Sequence, residues 1–300
     1  MPIMTDTDEA AAILRRGGLV ALPTETVYGL GGAARDPLAV RQIYATKGRP
    51  AGHPVIIHLH ASDDLSAYGQ LDDRACALAS AFWPGPMTLI VPRTAAVPDE
   101  VTGGLDTVGL RVPSHPIMQA VLAQVEGGIA APSANRFGRV SPTTAQHVVD
   151  EFGPDLPVLD GGPCAVGIES TIIDLSSPKP AILRPGHILE SEVAEVVGPL
   201  SASSTLAPGT LAQHYQPMTS LLLSGTPEAD HDRLVAEGHR VAVLKATDAV
   251  SHARSLYAEL RRLDSLGFDF LIAEAAPNSG LGEAINDRLR RAASKLSIDT

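Results

Sequence analysis

Cysteine is scarce. The 300 residues hold only Cys76 and Cys164, far apart and matching no zinc-binding or redox spacing. A reduced, cytoplasmic setting is the expectation. Long apolar runs are missing too. No stretch approaches ~18 uninterrupted apolar residues, so no membrane span is expected. The start, Met1-Pro2-Ile3-Met4-Thr5-Asp6, has no basic stretch, and a secretory signal is not expected. Excess positive charge is also lacking. Lys and Arg number 23 against 34 Asp and Glu, a net charge of −11. That excludes a generally basic nucleic-acid coat, and any grip on anions must come from a local cluster. Three catalytic signatures are missing: the G-x-x-x-x-G-K-[ST] phosphate loop, the H-E-x-x-H metal motif and the G-x-S-x-G nucleophile elbow.

What remains is an ordinary globular balance, 44% hydrophobic and 19% charged, long enough for about two domains at ~100–200 residues each. The first two hundred residues alternate two periodicities. Helices are predicted over 7–16, 37–47, 72–83, 115–125 and 143–152. Strands are predicted over 19–22, 55–59, 87–91, 108–112, 128–131, 158–159, 171–175 and 181–184. Several strands follow one another without a helix, which implies a mixed sheet carrying helices. A small, polar, Pro/Gly-rich run around 197–209 reads as a linker. Beyond it, strands at 220–223, 240–245 and 270–273 alternate with helices at 230–237, 251–266 and 281–295. These are three β-α units of a small Rossmann-like domain. The predicted division is 1–199, a linker or lid at 200–218, and 219–300.

The cations are unevenly placed. Of four lysines, only Lys47 falls in the first 178 residues, in Lys47-Gly48-Arg49-Pro50. It could simply complement a helix C-terminus. Alternatively, Gly48 and Pro50 fix the backbone so that Lys47 and Arg49 address one anion. Arg111 and Arg184 stand at strand ends, where α/β sheets bind ligands, and arginine supplies a rigid fork for phosphate or carboxylate. Either one alone could equally be a surface residue.

Pro23–Gly32 reads as a turn of hydroxyls and glycines. Its G-x-G-x-x-A (Gly29, Gly31, Ala34) comes too long after the strand for a dinucleotide fingerprint. In Pro132-Ser133-Ala134-Asn135 the polar groups can bond a ligand or cap a turn. Ser141 is read as a helix cap. His53, His58 and His60 lack an acidic partner at metal-ligand spacing, and His58 facing a ligand is the preferred reading. Tyr215 and His214 stand at the end of the linker. They either tether it to the main domain or form a lid that excludes water.

In their order, Pro23-Thr24-Glu25-Thr26-Val27-Tyr28-Gly29-Leu30, Lys47-Gly48-Arg49-Pro50, Pro54-Val55-Ile56-Ile57-His58, Gly109-Leu110-Arg111-Val112-Pro113, Pro132-Ser133-Ala134-Asn135, Glu169-Ser170-Thr171-Ile172-Ile173-Asp174, Leu183-Arg184-Pro185-Gly186 and His214-Tyr215-Gln216-Pro217 resemble the L-threonylcarbamoyladenylate synthase family in its long form. The C-terminal run Ile285-Asn286-Asp287-Arg288-Leu289-Arg290-Arg291-Ala292 resembles it as well. One departure is His53, where the family usually has asparagine.

The resemblance implies an α/β fold, a YrdC-like twisted mixed sheet followed by the small domain. It also implies synthesis of threonylcarbamoyl-AMP and pyrophosphate from L-threonine, bicarbonate and ATP with Mg2+. The adenylate would pass to a threonylcarbamoyl transferase complex that modifies the adenosine beside the anticodon of tRNAs reading ANN codons. A weak tRNA contact and the absence of membrane attachment go with that reading. By the family pattern, Thr26, His58, Arg111, Ala131 (main chain) and Ser170 take threonine. Arg49, His53, Thr107, Ser133, Asn135, Ser141, Arg184 and Tyr215 take ATP. Lys47 and Arg49 are the catalytic pair, and no metal ligands are assigned. Two rival readings stand beside it. A noncatalytic RNA-binding module is disfavoured by the negative charge. A hydrogenase-maturation carbamoyltransferase would carry acylphosphatase and zinc-finger-like segments, which this chain lacks.

Overall fold

The structure is a computed structural model that describes residues 3–201 and 214–293. Among these, strands β1 (Ile3–Met4), β2 (Val20–Leu22), β3 (Gly29–Ala33), β4 (Ile56–His58), β5 (Met87–Pro92), β6 (Thr107–Arg111), β7 (Ile129–Ala130), β8 (Val158–Leu159), β9 (Thr171–Asp174) and β10 (Ala181–Arg184) form one mixed sheet. Its order is β1-β8-β2-β3-β7-β4-β6-β5-β9-β10. The parallel pairs include β4 with β6 and β5 with β9, and the antiparallel pairs include β2 with β3 and β5 with β6.

Side chains alternate across this sheet, as a two-residue period requires. Val20, Leu22 and Ile129 join a cluster with α1 (Thr7–Arg15) and α5 (Pro116–Leu122). Ala21 and Ala130 face the opposite cluster, built with α2 (Pro37–Lys47), α3 (Asp73–Phe82), α6 (Ala145–Phe152) and α7 (Glu190–Val197). A short α4 (Asp99–Thr102) precedes β6.

A second, all-parallel sheet in the order β11-β13-β12 comprises β11 (Ser220–Ser224), β12 (Val241–Leu244) and β13 (Phe270–Glu274). It carries α8 (Pro227–Ala236), α9 (Ala249–Asp264) and α10 (Leu281–Ala293), so the three expected β-α units are present. Its core does not close on itself. Val27, Val140 and Ile168 from the first unit pack into it together with Tyr215. Most of the predicted linker, residues 202–213, lies outside the described residues.

Three local readings are corrected. Gly29–Ala33 is a strand, antiparallel to β2, and not part of a turn. It tolerates so much glycine because its neighbours crowd it: a Cβ on Gly31 would meet Leu22 at 2.8 Å and Ile129 at 3.0 Å. The helix over Glu190–Val197 was not anticipated. Ser141 does not cap α6. Thr144 does, its side chain accepting from the His147 N–H, while the Ser141 hydroxyl points elsewhere.

Candidate active site

A cavity opens at the ends of β4, β6, β9 and β10. It is lined by Thr24, Thr26, Gly29, Arg49, His58, Arg111, Ala131, Ser133, Glu169, Ser170, Arg184, His214 and Tyr215, with apolar walls from Val27, Val55, Ile56 and Pro132. Nine of the residues expected from sequence therefore meet in one place: Thr26, Arg49, His58, Arg111, Ala131, Ser133, Ser170, Arg184 and Tyr215.

Each cation has a structural reason to be there. Asp36 caps α2, Pro37 opens it, and Gly48 ends it in the left-handed region at φ 65°. That turn swings Arg49 inward. Its Nε donates to the His53 carbonyl at 3.2 Å and its Nη2 to the Pro54 carbonyl at 2.9 Å. Burial brings its guanidinium down to about 10, still charged at neutral pH. Register places His58 of β4 beside Arg111 of β6. Arg111 donates to Glu25 at 2.8 Å, and both side chains are buried. A register shift between Ile182 and Arg184 re-aims Arg184 at the cavity. There its Nε donates to the Ser170 carbonyl at 3.0 Å and its Nη2 to the Ser170 hydroxyl at 3.1 Å.

The remaining expected residues stand behind this wall or away from it. Lys47 is buried and turned inward, its ammonium donating to the carbonyls of Ser133 and Asn135. Burial and the nearby Arg49 charge hold its pKa well below the usual lysine range. It thus braces the cavity wall. Asn135 donates to the carbonyls of Arg136 and Arg139, leaving its buried Oδ1 without a partner. Ser141 donates to Glu169 at 2.6 Å and so touches the cavity through that carboxylate. The carbonyl of His53 anchors Arg49, and its ring lies outside the lining. Thr107 opens β6, four residues or about 13 Å along the strand from Arg111, and does not reach the cavity.

Sequence reasoning missed two carboxylates. Glu25 is the buried counter-charge of Arg111. Glu169 accepts from Ser141, from the Tyr257 hydroxyl of α9 at 2.8 Å and from Arg288 of α10 at 3.0 Å. Burial alone would raise its pKa, but Arg288, Arg184 and these hydrogen bonds outweigh it and hold the carboxyl at about 2. The signal was available, since Glu25 and Glu169 lie inside the quoted motifs. Nothing in the spacing showed that Arg288, from the far end of the chain, would come to Glu169.

The outer side is closed by His214–Tyr215. Tyr215 is the one described non-glycine residue at positive φ, 63°, a conformation that costs about 1 kcal/mol or more. Packing holds it there: its ring stacks on Tyr257 at 5.6 Å, and the Arg288 guanidinium lies 5.5 Å from its centre. Its hydroxyl is buried with no partner, as is Nδ1 of His214. Burial pushes Tyr215 up to about 12 and His214 and His58 down to about 3, so all three are neutral at pH 7.

Residues 12–186 match the family described as "Telomere recombination", Sua5/YciO/YrdC. The chain belongs to that family. Residues 182–294 match its long-form companion, described as "Threonylcarbamoyl-AMP synthase, C-terminal domain". The threonylcarbamoyl-AMP synthase of Pyrococcus abyssi is 39% identical over 94% of this chain and 92% of its own length. That of Bacillus subtilis is 38% identical over 95% and 92%. The crystal structure of P. abyssi Sua5 complexed with L-threonine superposes with a TM-score of 0.91 at 36% identity, covering 98% of this chain and 97% of that one. The Sua5 fold, a YrdC-type sheet followed by the small domain, is therefore the fold of this chain. Within this Sua5-type chain, no described helix is long and apolar enough to cross a membrane.

Proposed function

We propose that this chain synthesises L-threonylcarbamoyl-AMP and pyrophosphate from L-threonine, bicarbonate and ATP. The observation that carries the reading is the convergence of Arg49, Arg111 and Arg184 on one cavity that also holds neutral His58 and a cluster of hydroxyls. The inner end suits an amino acid. Arg111 offers a fork to a carboxylate, and Thr24, Thr26 and Ser170 offer hydroxyls. The outer end, with Arg49 and Arg184, suits phosphates.

The chemistry follows from that order. The amine of threonine adds to bicarbonate-derived carbon, water leaves, and a carbamate results. The carbamate oxygen then attacks the α-phosphorus, and the bond to pyrophosphate breaks. A carbamate decays in water, so exclusion of solvent by the His214–Tyr215 strap protects it. Negative charge grows on the phosphoryl oxygens and on pyrophosphate, where fixed guanidinium groups are most effective. No side chain need form a covalent bond, and catalysis is positioning plus electrostatics. Mg2+, a hard cation that prefers phosphate oxygens, would enter on the triphosphate as part of the substrate.

Tyr215 and His214, both buried, stand in the lining of the cavity and narrow it. A triphosphate cannot enter until the strap moves outward. Threonine binds first in this scheme, and nucleotide displaces Tyr215. The product would go to a threonylcarbamoyl transferase acting on tRNA, since an adenylate this labile needs an immediate acceptor.

The test is pyrophosphate release by the purified chain with the adenylate identified by mass. Release should require all three substrates together. Arg49→Ala should lower it a hundredfold or more while threonine binding, measured by calorimetry, survives. Release that ignores threonine, or no loss in the variant, would overturn the assignment.

A further inference from the structure

Thr88 of β5 is fully buried and does not line the cavity. Register sets it against Ile172 of β9, two residues past Ser170. The two-residue period puts it on the face of β5 shared with Ile90, away from Met87 and Leu89, which pack into the main core. A hydroxyl is costly to bury there, whereas valine, of the same shape, would not be. Among the described residues its one partner is the Ser170 hydroxyl, at 2.8 Å.

The direction of that bond follows from the proton count. Were Thr88 to accept from Ser170, its own hydroxyl proton would be buried without a partner. Thr88 therefore donates. Ser170 also accepts from Nη2 of Arg184 at 3.1 Å. Both lone pairs of Ser170 are then filled, and its proton is left for the cavity it lines. Thr26, also in the lining, is set the opposite way. The Thr24 hydroxyl must donate to the Val27 carbonyl, 2.6 Å away, since a carbonyl only accepts. In the 2.8 Å contact between Thr24 and Thr26 the donor is then Thr26, whose oxygen is left as an acceptor. One donor and one acceptor of fixed sense suit an amino acid, whose ammonium only donates and whose carboxylate only accepts.

We propose that Thr88 is a positioning residue for threonine. It never touches the substrate, but holds Ser170 as a donor to a carboxylate oxygen, a group that Arg111 engages as well. The assignment rests on the threonine reading above and adds to it the residue that fixes the sense of the Ser170 hydrogen bond.

Two substitutions of opposite kind test this on the full chain. Thr88→Val keeps the shape and removes the hydroxyl; Thr88→Ser keeps the hydroxyl and gives up the methyl. Calorimetry with L-threonine should show affinity about tenfold weaker in Thr88→Val and within twofold of the unmodified chain in Thr88→Ser. In pyrophosphate release, Thr88→Val should raise the KM for threonine by the same factor with kcat little changed. Ser170→Ala should weaken threonine at least as much, and adding Thr88→Val to it should cost nothing further, because Thr88 acts through Ser170. A Thr88 that serves packing alone would give the reverse order, with Thr88→Ser harmed and Thr88→Val intact. That order, equal loss in both variants, or a further loss in the double variant would each overturn the proposal. If the unmodified chain binds L-threonine and the variants follow the expected order, yet no threonylcarbamoyl-AMP forms, the positioning stands and the reaction assigned above falls.

Discussion

The inner and outer ends of the cavity hold arginines of equal burial in unlike settings. Arg111 lies inside the large sheet, hydrogen-bonded to Glu25 from the segment after β2, with His58 on the adjacent strand. All its partners come from the first unit. The outer end is assembled from distant parts of the chain: Arg49 after α2, Arg184 at β10, Tyr215 beyond the linker, and Tyr257 and Arg288 from the small unit. The inner end is thus a product of sheet register, and the outer end depends on docking. The docking centres on a buried carboxylate, Glu169, with partners from both units, beside the Arg261–Glu151 ion pair and the apolar contacts of Val27, Val140 and Ile168.

This contrast can be broken at its strongest point. Arg288→Ala leaves Glu169 buried without its guanidinium. Loss of one partner of such a pair costs about 3–5 kcal/mol, which chemical unfolding should show. Nucleotide binding should fall with it while threonine affinity stays within twofold. Adding Glu169→Gln to that variant should return part of the stability. Equal loss of both ligands would mean the two ends are not independent.

Acid separates the ends more gently. His58 and His214 are buried neutral with folded values near 3, far below the ordinary 6.5. Their contribution is complete above about pH 6.5 and fades as the pH falls toward 3. Glu169 adds a second loss below about 4.5, since its folded value is about 2. Stability measured against pH should therefore begin to decline below about 6.5 and steepen below 4.5. His58→Gln should make the decline shallower between about 6.5 and 3, leaving the part that His214 and Glu169 contribute.

The smallest effect sharpens the picture. Tyr215→Phe removes a buried hydroxyl that has no partner in the closed chain. Unliganded stability should rise by roughly 1 kcal/mol, and the KM for ATP should rise severalfold if that hydroxyl meets the nucleotide. A fall in unliganded stability would show that the hydroxyl is already satisfied.

Much of this was legible in the sequence, for stated reasons. Alternation and helix stops placed the strands that end at His58, Arg111 and Arg184, because those signals are local. The segment after Pro23 was read as a turn because five residues with three glycines carry no strand propensity; Leu22, Ile129 and their neighbours impose β3 from outside. Ser141 looked like a cap because Ser before Pro-Thr is a local signal, whereas its partner Glu169 comes from a distant segment. Lys47 lies behind the cavity wall because its side chain turns to two carbonyls that no motif announces. Long-range pairings such as Arg288 with Glu169 leave no periodic trace at all.

Tyr215 leans on Tyr257 of the small unit while sealing the cavity. Any free energy that ATP spends displacing that ring is withdrawn from the adhesion between the two units. Thermodynamic reciprocity then applies: a change that weakens only the hold of Tyr257 on that ring, with the charges about Glu169 kept, should raise the affinity for nucleotide, and bound nucleotide should loosen the contact between the units by the same amount. The small unit, through one aromatic contact, would in this way tune how tightly the cavity holds its nucleotide.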